Sequence, residues 1–209
     1  MWVLACSIGV IIALAGERYS RDLLRAAGKL IAASAYIAAA WLAGAAETQY
    51  GQILLLGMVF CWMGDLFLVS TRNRAFFLLG LASFLLGHVA YIGAFAARGV
   101  SWLVTLGAGL AMVIFAWKVL RWLRPHLDSR MSRPVWLYVI AICTMMAMAV
   151  GAYATDGNWL IPLGALLFLL SDLAVARDRF IAPGFINRAW GLPMYFCGQM
   201  VLAASVAYV

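Results

Sequence analysis

Charge is what this 209-residue chain has least of: Asp, Glu, Lys and Arg together make up 11% of it, against roughly 25% in a soluble domain. With 67% hydrophobic residues and a mean hydropathy of +0.98, that scarcity excludes a water-soluble globule and defines a polytopic membrane protein. A polar stretch long enough to form a separate soluble domain is also missing, so any chemistry belongs to the helices and their ends. The four cysteines, Cys6, Cys61, Cys143 and Cys197, lie in apolar runs without metal-ligand spacing, which implies neither a disulfide nor a metal site and leaves them as packing residues. No basic segment precedes the first apolar run. Its positive charges follow it, which suits a retained helix with an external N-terminus better than a cleaved signal, despite the Ala13-Leu14-Ala15 triplet.

What the chain does have is apolar runs. Charged and Gly/Pro-containing breaks divide it into helices expected over 2–15, 28–44, 52–70, 75–97, 102–119, 134–154, 159–176 and 189–208, most of them near the 17–25 residues that a bilayer requires. Backbone groups in lipid must be satisfied within the segment, so the expected fold is all-α, one integral membrane domain over 1–209 with eight transmembrane helices. The net charge of +7 is explained by topology. Fourteen of the fifteen Lys and Arg residues fall on alternate connections, and only Arg98 lies on the other side. By the positive-inside rule the basic connections are cytoplasmic and both termini are not, which fits a bacterial inner membrane and no nucleic-acid partner.

Two aspartates sit inside the apolar runs, 107 positions apart and in matching contexts: Gly57 then Gly64-Asp65-Leu66, and Gly164 then Ser171-Asp172-Leu173. An ionised carboxylate in hydrocarbon costs several kcal/mol on any scale, so a chain that carries two has a use for them. Further matches, Asn73-Arg74-Ala75-Phe76 with Asn187-Arg188-Ala189-Trp190, point to two parallel four-helix repeats. Asp65 lies seven residues before Arg72 and Asp172 seven before Arg179, which puts each carboxylate roughly 10 Å inside the same interface at 1.5 Å per residue. Tyr195, seven residues after Arg188, reaches about that level on the returning helix. His88 and Tyr91 share one face of the fourth helix, and Tyr195 and Gln199 one face of the eighth. By the same rise His88 lies about 20 Å from Arg74, deeper than the carboxylates, and Tyr91 reads as packing. The remaining arginines read as topology and headgroup anchors.

On these residues the chain resembles the YhhN-type family of membrane proteins, which includes the lysoplasmalogenases: short eight-helix chains with Gly-Asp-Leu in the third helix and Ser-Asp in the seventh, here Gly64-Asp65-Leu66 and Ser171-Asp172. Lys29 resembles the lysine that the family carries at the start of its second helix. The resemblance implies hydrolysis of the vinyl-ether bond of a lysophospholipid substrate drawn from the lipid bilayer, giving a fatty aldehyde and a glycerophospho-alcohol, with no metal or organic cofactor. A vinyl ether is hydrolysed by protonation of its β-carbon and capture of the oxocarbenium ion by water, so one protonated and one ionised carboxyl suit the task. Asp65 and Asp172 are then the catalytic pair. Lys29, His88, Asn187, Tyr195 and Gln199 would orient water or bind glycerol and phosphate. The Ser171 hydroxyl beside Asp172 points to Asp172 as the ionised member and Asp65 as the acid. Two other classes use membrane aspartates and are carried as alternatives: a proton-coupled transporter and an intramembrane aspartyl protease. A purely structural membrane protein is a third reading.

Overall fold

A computed structural model describes residues 1–69 and 74–208. Arg72 and Asn73, used above for depth and for the repeat, lie outside the described residues. Among those described there are eight α-helices and no strands: α1 (Trp2–Arg18), α2 (Asp22–Leu42), α3 (Gln49–Phe67), α4 (Arg74–Arg98), α5 (Trp102–Leu123), α6 (Ser129–Asp156), α7 (Leu160–Ala176) and α8 (Phe185–Ser205). Seven are long and apolar enough to cross a membrane. The exception is α1, which has 17 residues and spans about 26 Å at the helical rise.

α2 and α6 start several residues before their apolar runs, because charged residues stand at their first turns. α2 begins at Asp22, where a carboxylate meets the positive end of the helix dipole and accepts from the Arg25 Nη2 at 2.8 Å. α6 begins at Ser129 behind Asp128, whose Oδ1 accepts the Met131 N–H at 2.6 Å as an N-cap. Its 28 residues measure about 42 Å, so its first turns stand beyond a hydrocarbon core of about 30 Å.

Sequence neighbours pack as hairpins, α1 with α2, α3 with α4, α5 with α6 and α7 with α8, and small residues set how closely they approach. A side chain on Gly57 would lie 3.2 Å from the Gly87 carbonyl oxygen, and one on Gly87 3.2 Å from that of Gly57. The pair Gly164 and Gly198 shows the same reciprocal contact at 3.0 Å in both directions. Two turns towards the basic end, Gly80 faces the Gly64 carbonyl as Gly191 faces that of Ser171, at 3.5 and 3.7 Å. The two halves therefore superpose α3 on α7 with a shift of 107 residues and α4 on α8 with a shift of 111. This corrects the match of Asn73–Phe76 with Asn187–Trp190, whose shift of 114 is out of the packing register by most of a turn. The longer α7–α8 connection contains a π-helical turn, Arg177–Ile181.

At the end opposite the other basic residues, Arg98 is held by Asp156 and donates to the Tyr208 carbonyl at 2.6 Å. Its charge is thus neutralised where the remaining cations are absent.

Gly198→Val is expected to destabilise the protein in detergent by about 1–3 kcal/mol, because the added methyls meet backbone atoms of α7 that cannot move aside. Gly107→Ala, where nothing lies within 4 Å, is expected to leave stability unchanged or raise it by up to about 1 kcal/mol. Thermal unfolding of the two variants side by side checks both.

Candidate active site

Asp65 ends up on the last turn of α3, 2% exposed. Gly64 before it leaves room for the Phe84 ring, which would lie 2.6 Å from any side chain there. Oδ2 accepts from the Tyr195 hydroxyl at 2.8 Å, and Oδ1 lies 3.8 Å from the Lys29 ammonium. The Tyr195 hydroxyl is in turn 3.3 Å from that of Tyr36, a fully buried residue of α2. A cation at this range favours the ionised carboxylate.

Asp172 has different company. Its Oδ2 accepts from the Tyr138 hydroxyl at 2.9 Å and lies 3.7 Å from His88 Nε2. His88 Nδ1 is 2.7 Å from the Phe84 carbonyl oxygen, which can only accept, so that nitrogen carries a proton. Nε2 is buried with no hydrogen-bond partner among the described residues. His88 is therefore at the level of the carboxyls and not deeper, as its distance along α4 had implied. The reason is the tilt of helical side chains towards their own N-terminus, which for α4 is the basic end. The Ser171 hydroxyl does not hold Asp172. It donates to the Phe168 carbonyl at 2.7 Å, which removes the argument that made Asp172 the ionised member.

The partners follow the repeat. Each aspartate receives one from the preceding helix-pair member of its own half, Lys29 of α2 or Tyr138 of α6, and one from the returning helix of the other half. Tyr195 of α8 reaches Asp65, and His88 of α4 reaches Asp172. Phe168 sits between them, fully buried, with its ring edge-on to Phe84, His88, Tyr91 and Tyr195 at centroid distances of 4.6–6.3 Å.

Both carboxyls open on one cavity of about 180 Å³ that all eight helices line. Lys29, Asn187 and Tyr195 line it too. Gln199 does not: one turn further along α8, its Oε1 accepts from the Tyr91 hydroxyl at 2.7 Å, so Tyr91 is a hydrogen-bonding residue as well as a packing one. The Asn187 amide is engaged by Arg177 and donates to the Ala182 carbonyl at 2.7 Å, tying down the connection into α8. At the polar end of the cavity, the Glu17 carboxylate is paired with Arg188 and lies 3.5 Å from Arg25, while Arg188 Nε donates to Asp178 at 3.1 Å. Arg25 and Arg188 thus have buried ionic partners beyond their part in topology. Sequence reasoning passed over Tyr138, Glu17 and Asp178. Tyr138 was visible as a lone polar residue early in an apolar run, and the two acids as carboxylates set among the arginines of their segments.

Among the described residues no group of three or more His, Cys, Asp or Glu side chains is placed to hold a metal ion.

An all-α bundle that encloses two carboxyls in a cavity inside its membrane-spanning part defines an integral membrane protein with an internal acidic site. The profile described as the YhhN family matches residues 24–206, and the chain belongs to that family. It is 34% identical over 158 residues to lysoplasmalogenase TMEM86A of Bos taurus, a match covering 73% of this chain and 64% of that one. It is 31% identical over 159 residues to lysoplasmalogenase TMEM86A of Homo sapiens, with the same coverage. A protein of Mycobacterium tuberculosis named lysoplasmalogenase is 31% identical over 124 residues, 57% of this chain and 46% of that one. The chain thus spans less than two thirds of the length of these relatives. No solved structure matches it.

Lys29→Met is expected to cost about 3–5 kcal/mol of stability, because it strands the buried Asp65 carboxylate without its counter-charge. Lys29→Met combined with Asp65→Leu is expected to recover at least half of that loss. Reversible unfolding in mixed detergent micelles measures both, and equal losses in the single and double variants would show that the pair does not interact.

Proposed function

We propose that the chain hydrolyses the vinyl-ether bond of a lysoplasmalogen, with Asp172 as the proton donor and Asp65 as its ionised counterpart. The observation that carries this reading is a single cavity into which two carboxyls open with unlike partners, in a family whose curated members are named lysoplasmalogenases. Lys29 beside Asp65 supports the ionised form of that group. Asp172 faces a phenol and an imidazole nitrogen and has no lysine or arginine partner among the described residues, which supports the protonated form. This assignment reverses the one drawn from Ser171.

The protonated carboxyl delivers its proton to the β-carbon of the vinyl ether, and the α-carbon becomes an oxocarbenium ion. The Asp65 carboxylate stabilises that cation and takes a proton from the water that adds to the α-carbon, as the paired acids of glycosidases do for a similar ion. The resulting hemiacetal loses its hydroxyl proton and its glycerol oxygen is protonated, releasing aldehyde and alcohol. The two carboxyls have then exchanged a proton, and one transfer between them restores the starting state. Tyr195 and Tyr138 hold the two carboxyls in place, while Lys29 fixes the charge of one. The basic residues at this end of the bundle support a cytoplasmic position for it, non-cytoplasmic termini and substrate drawn from the inner leaflet of a bacterial inner membrane.

Purified protein in detergent is expected to release fatty aldehyde from a lysoplasmalogen, and Asp65→Asn and Asp172→Asn each to lose about 10²–10⁴-fold in rate. In D₂O the aldehyde is expected to carry one deuterium on the carbon next to its carbonyl. Aldehyde formed at short times without that deuterium would rule out β-carbon protonation, and full activity in either Asn variant would rule out the pair.

A further inference from the structure

The cavity is not uniformly polar. Its side against α4, α5 and α6, the arm, is apolar apart from Tyr138, with Phe77, Leu81 and Phe84 on the first, Phe115, Val119 and Leu123 on the second, and Val135, Val139 and Ile142 on the third. Phe115, Val119 and Leu123 recur at intervals of four and so form one face of α5; they extend over about 12 Å. Phe84, Phe115 and Ile142 are the members furthest from the basic end, each the deepest on its helix. Tyr138 stands among these residues on α6 and donates to Asp172 at 2.9 Å, so a bond held beside it lies next to the proposed proton donor.

Two observations say how an occupant gets there. α5 packs along α6 and hardly touches α4, although both line the arm, so the wall between α4 and α5 is not closed by helix packing. α5 is also the most peripheral spanning helix, with 11% of its apolar window buried, so the seam faces lipid. The cavity volume of about 180 Å³ is below the roughly 300–1,000 Å³ of pockets that enclose a drug-sized ligand. A whole lysolipid therefore does not fit inside. A chain that crosses one leaflet extends over roughly 15 Å, half of the bilayer core of about 30 Å, and outreaches the arm.

We infer that the arm between α4, α5 and α6 is the binding site for the hydrocarbon chain of a single-chain amphiphile, which enters sideways from the bilayer through the α4–α5 seam and leaves its far end in lipid. The inference deepens the proposed function and rests on its lysolipid substrate. Phe115 and Ile142 then set how the chain runs past the inner end of the arm, and Val119 its width at mid-length. The occupant is a single apolar chain because α4, α5 and α6 bring no charged residue to the cavity among the described residues, and its charged lining residues come from other segments.

The test uses a photoreactive probe that the proposed chemistry does not cleave, a 1-O-alkyl lysophosphocholine with a diazirine in mid-chain, together with lysoplasmalogens of graded alkenyl length. On the native protein the probe is expected to label residues of α4, α5 and α6 at the arm, and excess unlabelled lysophosphocholine to suppress that labelling. Labelling spread over the lipid-facing sides of α1, α2 and α5 alike, unaffected by competitor, would overturn the inference. Val119→Trp is expected to raise KM at least tenfold for long alkenyl chains with kcat within about twofold, and to affect the shortest chains least; an equal KM for all lengths, unchanged from native, overturns it as well. The two readings fail separately. Arm labelling without aldehyde release defeats the vinyl-ether chemistry and leaves the chain site standing, and aldehyde release with no arm labelling does the reverse.

Discussion

A carboxyl group placed in hydrocarbon has to find partners within the protein, and this bundle is arranged around finding them twice. Asp65 and Asp172 each take one partner from a helix of their own half and one from the other half, so neither is satisfied until both halves are in register. That demand accounts for the glycines. Gly57 with Gly87 and Gly164 with Gly198 bring α3 against α4 and α7 against α8 closely enough for side chains on the returning helices to cross over to the opposite aspartate. Phe168 then packs against a ring from each partner set, His88 and Tyr195.

The halves repeat in backbone and differ in what they carry at equivalent places. With α4 laid on α8 at the packing register, Phe84 falls on Tyr195 and His88 on Gln199. Like carboxyls are thereby given unlike neighbours: an ammonium and a phenol for one, a phenol and an imidazole for the other. A strictly symmetric pair would hold two equivalent groups. The proposed chemistry needs one that gives a proton and one that keeps its charge, and the departures from symmetry supply the difference.

Much of this was legible beforehand. Low charge, the eight apolar runs and the spacing of Gly57 to Asp65 and Gly164 to Asp172 carried the fold class and the central acids, because hydropathy and intramembrane charge are strong, local signals. Lys29 was found through the family resemblance and Tyr195 through helical rise. The helix starts at Asp22 and Ser129 were hidden because acids at a helix start read as breaks in an apolar run. His88 was put too deep because counting along an axis ignores the direction in which a helical side chain leans. Tyr138 and Glu17 act through contacts between helices distant in sequence, for which a single chain carries no local mark, and the Ser171 hydroxyl turned to its own backbone, as serines in helices do.

The order in which the crossed partners occur along the chain bears on how the protein is made. During synthesis from the N-terminus, Lys29 has already emerged when Asp65 reaches the membrane, whereas Tyr195 arrives only with the last helix. Asp172 meets the reverse situation, since His88 and Tyr138 both precede it. One aspartate thus spends most of biogenesis with its ammonium companion alone, and the other enters a setting whose polar groups are already present. The final helix closes the first site, so a ribosome that stops before α8 leaves behind a bundle in which Asp65 still lacks its phenol.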